Sequence, residues 1–132
     1  MEKIKDSCLQ TVGFKQDRVI NMKVELTEFP KSIFELIDTK SFRERPGMYL
    51  GQKNIDLLSA MIEGYQYAID SYEILDDKSI RFEKFRDWVV NFYNAGEYTG
   101  SWKHLILDDC NGDSQKAVDT FFNLYDRFKA EE

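Results

Sequence analysis

Histidine occurs once in the 132 residues, and cysteine, proline and tryptophan twice each. Each scarcity removes a class of chemistry. A catalytic or metal-binding role for His104 needs partners that the sequence does not locate, so a histidine-centred site is not expected. A Cys110–His104–Asp109 nucleophile set can be drawn, but loop thiols near a histidine arise readily by chance. Cys8 and Cys110 lie far apart without a Cys-x-x-Cys spacing, which excludes a disulfide framework and the common zinc patterns and fits reduced thiols. No apolar run approaches the roughly 18 residues of a membrane span. The opening MEKIKDSCLQ lacks the apolar stretch of a secretory signal, so a cytoplasmic protein with no membrane partner is expected. Phosphate-loop, zincin and nucleophile-elbow motifs are absent.

Positive charge is also in deficit. Eighteen Lys and Arg face 24 Asp and Glu, giving a net charge of −6. Nucleic acid is therefore not an expected partner, because neutralising phosphates takes a surplus of Lys and Arg; a basic protein is. The imbalance is uneven: residues 1–53 hold ten basic and eight acidic side chains, whereas residues 54–132 hold eight and sixteen. Any acidic face belongs to the later part.

Aromatic residues are plentiful, with ten Phe, seven Tyr and two Trp. A chain of this length fills one domain, 1–132, and buries enough surface to fold without metal or disulfide. Its pattern predicts a mainly α fold: a compact domain of about four to five helices over 30–130, with a small N-terminal β-hairpin over 1–29. In the hairpin, Ile20, Met22, Val24 and Leu26 alternate with polar residues, and Cys8, Val12 and Phe14 alternate more loosely. A frayed helix is the rival for residues 2–10.

Pro30 suits the first turn of a helix over 30–39. Pro46-Gly47 predicts a type II turn with positive φ at Gly47, inside an ordered loop anchored by Met48 and Tyr49. Asn54 caps a long helix whose apolar stripe is Leu58, Met61, Ile62, Tyr65, Ala68, Ile69 and Tyr72. Gly64, within it, predicts a close neighbour. Ser79 opens a third helix with Phe82, Phe85, Trp88, Val89 and Phe92, ended by Asn94-Ala95-Gly96. Ser101 caps a short helix with Trp102, Leu105 and Ile106. Asp113 or Ser114 caps a last helix with Ala117, Val118, Phe121, Phe122, Leu124, Tyr125 and Phe128 inside.

No catalytic residue, metal ligand or cofactor site emerges. The Asp108–Asp113 run resembles a calcium loop, but Thr120 stands where the bidentate Glu is required. The remaining candidates are partner-binding. Asp70, Glu73, Asp76 and Asp77 gather at and beyond the C-terminal end of the long helix, with Glu63 earlier on it, where negative charge opposes the helix dipole. A solvated acidic surface explains such a cluster, and so does a basic partner. Tyr67, Tyr98 and Trp102 are candidate surface aromatics.

The segment Arg45-Pro46-Gly47-Met48-Tyr49-Leu50-Gly51 resembles one in the DNA gyrase B ATPase. That site needs a catalytic acid with a magnesium-binding Asn four residues on, and here Tyr67 follows Glu63. The adenine-binding Asp-x-Gly-x-Gly loop is also missing, so ATP binding is not expected. A longer resemblance, over residues 33–129, is carried by the same segment with Leu58, Ile62, Gly64-Tyr65, Ala68, Phe85, Trp88, Gly100-Ser101-Trp102, Phe121-Phe122, Leu124 and Phe128. In these the chain is similar to small bacterial immunity proteins of polymorphic or contact-dependent toxin systems. The resemblance implies a non-enzymatic protein that neutralises a cognate toxin by occupying it. The toxin would be basic, as nucleases commonly are, and Arg45 to Gly51 would be structural. A general interaction or regulatory module without a toxin partner is the alternative.

Overall fold

The computed structural model describes residues 29–131. The backbone divides into two units, Met1–Lys31 and Ser32–Glu132, and the second is considered below. The expected hairpin falls outside the described residues.

The chain turns helical at α1, Ile33–Ile37, where the Ser32 hydroxyl accepts the Phe34 N–H. Pro30 therefore stands before the helix, because the cap lies two residues after it. α1 stops at Asp38, and Thr39 starts α2, Lys40–Glu44, by accepting the Phe42 N–H. The short helix predicted over 30–39 is thus present but narrower, and a second short helix follows it.

The Pro-Gly segment is also helical. Pro46 is the first residue of α3, Pro46–Leu50, where its missing N–H costs nothing. Gly47 follows with helical φ, and the residue in the left-handed region is Gly51, with φ 90°. This corrects the type II turn: Pro at a first helical position competes with Pro at a turn's second position, and the helix prevails. Met48 is exposed rather than an anchor. Tyr49 stacks on Phe42 at 5.0 Å and bonds Ser41 through its hydroxyl at 2.8 Å.

Helix α4, Ile55–Ser71, begins at Asn54, whose side-chain oxygen accepts the N–H groups of Asp56 and Leu57. It buries Ile55, Leu58, Ser59, Ile62 and Ile69. Gly64 is exposed, and a Cβ there would meet nothing within 4 Å, so the expected close neighbour is absent. The predicted helix from Ser79 is instead a pair, α5, Asp77–Phe82, and α6, Phe85–Phe92, broken at Glu83-Lys84. Ser101 caps α7, Trp102–Asp109, and Asp113 caps α8, Ser114–Ala130.

Against α8 pack α4, α6 and α7. All seven residues predicted for its inner face are buried. The core is a lattice of rings: Phe85 lies 5.6 Å from Phe121 and from Tyr125, and 5.5 Å from Phe128. Arg43 binds both carboxylate oxygens of Asp126 at 2.7 and 2.8 Å and lies over Phe122, fastening α2 to α8. Lys129 joins Asp38 at 2.7 Å on the same seam. Among the described residues no helix is long and apolar enough to cross a membrane.

The helical reading of Pro46-Gly47 makes opposite forecasts for two glycines. Gly51→Val forces a β-branched residue into positive φ and should cost about 1–3 kcal/mol. Gly47→Ala should be neutral or stabilising by up to about 1 kcal/mol, since its Cβ would meet only ordinary contacts, the nearest at 3.6 Å. Urea melts of both variants check this, and equal losses would contradict it.

Candidate functional site

Helix α4 ends in a Schellman motif. The Ile74 N–H reaches back to the Ile69 carbonyl at 2.8 Å and the Glu73 N–H to that of Asp70 at 3.2 Å, which requires Glu73 to adopt the left-handed region, φ 55°. Asn94 and Asn111 close α6 and α7 with the same pair of bonds and similar angles. Asn tolerates that region through its short polar side chain, whereas Glu holds it at about 1 kcal/mol or more.

Two residues later the chain is fixed again. The Asp76 carboxylate accepts the Ser32 hydroxyl at 2.7 Å, the Tyr65 hydroxyl at 2.7 Å and the Lys78 N–H at 3.0 Å. It caps α5 directly and supports the cap of α1 through Ser32, so one negative charge serves two helix N-termini. Burial alone would raise its pKa, but the hydrogen bonds from Ser32, Tyr65 and the Lys78 and Ser79 backbone outweigh burial and hold it below the usual value. Tyr65 is raised by burial and by its bond to Asp76.

Between these fixed points the chain displays its apolar side chains outward. Tyr72 is 79% exposed, Ile74 56% and Leu75 81%. Tyr72 follows Leu58, Ile62, Tyr65 and Ile69 at the next helical step, so the apolar stripe outruns the core that covers it. The predicted burial of Ala68 and Tyr72 is corrected accordingly: both are exposed.

The sequence-selected residues separate into groups. Glu63, Tyr67 and Asp70, spaced i, i+4, i+7, share the outward face of α4, and all are exposed. Glu63 accepts the Ser59 hydroxyl at 3.3 Å. Glu73 and Asp77 flank the apolar tip. Asp76 is occupied internally, and with Asp77 it lies at a helix N-terminus, where negative charge is favourable. The expected dipole conflict thus holds for Asp70 and Glu73 alone.

Trp102 is buried, 6.0 Å from Phe82 and 5.1 Å from Phe121, which corrects its candidacy as a surface aromatic. Tyr98 is half-buried and donates its hydroxyl to the Ser101 carbonyl. Lys103 pairs with Asp56 at 3.0 Å, so the start of α7 lies at the opposite end of α4 from Glu73. Ile74 and Leu75 escaped the sequence reading because they stand outside the periodic stripe. Their signal was an adjacent apolar pair between two carboxylates.

Elsewhere, Arg45 and Met48 border a shallow groove of about 300 Å³ with Lys40, Ser41 and Glu44. His104 is exposed, Asp109 accepts the Tyr93 hydroxyl, and Cys110 is a free, buried thiol beside Thr120. Among the described residues no three His, Cys, Asp or Glu side chains gather to hold a metal ion. Comparison with protein families, curated proteins and solved structures finds no match.

Asp76→Ala removes a cap and leaves two hydroxyls without their acceptor, which should cost about 1–3 kcal/mol. The parent carries a matching pH dependence. Asp76 and Asp126 both have depressed folded pKa values, Asp126 through its hydrogen bonds from Arg43. Their contributions are present above the unfolded carboxylate value of about 4 and disappear as pH falls through the folded values below it. Denaturant midpoints measured from pH 6 to 3 should fall less steeply in Asp76→Ala than in the parent; identical slopes would remove Asp76 from the account.

Proposed function

We propose that the protein is a cytoplasmic immunity protein that neutralises a cognate bacterial toxin by tight, non-catalytic binding. The observation that carries the proposal is the uncovered apolar tip of α4 among carboxylates, Tyr72, Ile74 and Leu75 beside Asp70, Glu73 and Asp77. Exposed large apolar side chains on fixed backbone are characteristic of association surfaces, and a surrounding acidic field steers a basic partner onto them. A toxin that grips phosphate is such a partner. The resemblance carried by Arg45 to Gly51 and by the aromatic helices supports the immunity reading in particular. Within Arg45 to Gly51, Pro46, Tyr49 and Leu50 pack and Gly51 turns, consistent with a scaffolding role for the segment.

Co-expression with a toxic domain encoded beside the gene tests the proposal. The parent should restore growth, and exchange of Asp70, Glu73 and Asp77 for Lys should slow association measured by surface capture. The defect should be largest at low salt, where the Debye length is long. Folding should survive, because all three side chains are exposed and the largest expected cost, Lys in place of Asp77 in the first turn of α5, is about 1 kcal/mol or less. Growth arrest with the parent present would refute neutralisation. Unchanged, salt-independent association of the triple variant would remove these carboxylates from the interface.

A further inference from the structure

The structure assigns a chemistry to the partner segment: we infer that residues 70–77 dock a short segment carrying a large apolar side chain flanked by Arg or Lys. This rests on the reading of the protein as a binding protein, and not on the partner being a toxin.

Three observations converge on it. Tyr72, Ile74 and Leu75 lie within four consecutive residues at the turn that ends α4, a small patch that matches one or two inserted side chains rather than a broad flat interface. Asp70, Glu73 and Asp77 bracket that apolar stretch, and among the described residues none of the three forms an ion pair. Nearby Lys78 is engaged by Glu35 at 3.5 Å, so it does not neutralise them. Both ends of the connection are tied down, at Ile69 by the Ile74 N–H and at Asp76 by Ser32 and Tyr65, so little ordering is left for binding to impose. An apolar segment without charge would leave three desolvated carboxylates at its edge, and an acidic one would be repelled.

Glu73 gives the inference a readout that a merely structural role would not move. Gly at this position relieves the left-handed backbone and removes the charge together. Glu73→Gly should therefore raise the Tm while weakening the segment's binding several-fold.

The test titrates the full isotopically labelled protein with a short synthetic peptide alternating Arg and Leu, followed by amide chemical shifts. An all-Arg peptide and one alternating Glu and Leu serve as controls. Shifts centred on residues 70–77 are expected with the Arg-Leu peptide, weaker ones with all-Arg, and none with Glu-Leu. Leu75→Ser, at an exposed position, should keep the parent Tm and weaken Arg-Leu binding about tenfold. Equal shifts with all-Arg would show a diffuse acidic surface and overturn the inference. So would shifts centred on the Lys40–Met48 groove, or unchanged affinity in Leu75→Ser and Glu73→Gly. Peptide docking at the tip in a protein that fails to protect against a toxin would support this inference while refuting the toxin proposal.

Discussion

The ring of Phe85 stands where four helices meet, and its contacts join its own helix, α6, to α5, α7 and α8. Phe82, Trp88, Trp102, Phe121, Tyr125 and Phe128 surround it at 5.3–6.2 Å between centroids. Edge-to-face pairs dominate, the geometry in which the positive rim of one ring meets the negative face of another. Such a lattice fixes both distance and orientation, because a tilt in one ring is felt by several neighbours at once. The break at Glu83-Lys84 falls between Phe82 and Phe85, and both rings pack against Phe121 and Tyr125.

That packing presents the tip of α4. With α5 held on the aromatic lattice through Phe82, its N-terminus needs a cap, and Asp76 supplies one while collecting Ser32 from the start of α1 and Tyr65 from α4. Polar groups thus hold the connection in place, leaving Tyr72, Ile74 and Leu75 free of structural duty. Apolar residues with no internal partner lower solubility, and carboxylates beside them offset that cost. Asp70, Glu73 and Asp77 thus account for part of the negative charge that concentrates after residue 54.

Much of the helical unit was legible because its signals are local. Asn54, Ser101 and Asp113 each cap the helix they were expected to cap, and α8 reads correctly from Ala117 to Phe128 because one face of a long amphipathic helix repeats often enough to leave no second solution. The failures occur where two local rules compete or a distant residue decides. Pro46-Gly47 satisfies both a turn and a helix start. Asp76 looked like surplus charge because its partners Ser32 and Tyr65 are 44 and 11 residues away. Trp102 looked like a surface ring because a short helix gives too few steps to define its inner face. The tip itself was half visible: its carboxylates follow from composition, but the exposure of Leu75 follows from packing alone.

Amide hydrogen exchange in the free protein and in its complex with the proposed toxin partner addresses the central claim most directly. The account predicts that the added protection centres on residues 70–77, with the amides of α8 already slow in the free protein and little changed. Protection centred on residues 40–48, around the Arg45 and Met48 groove, with residues 70–77 exchanging as in the free protein, would contradict it.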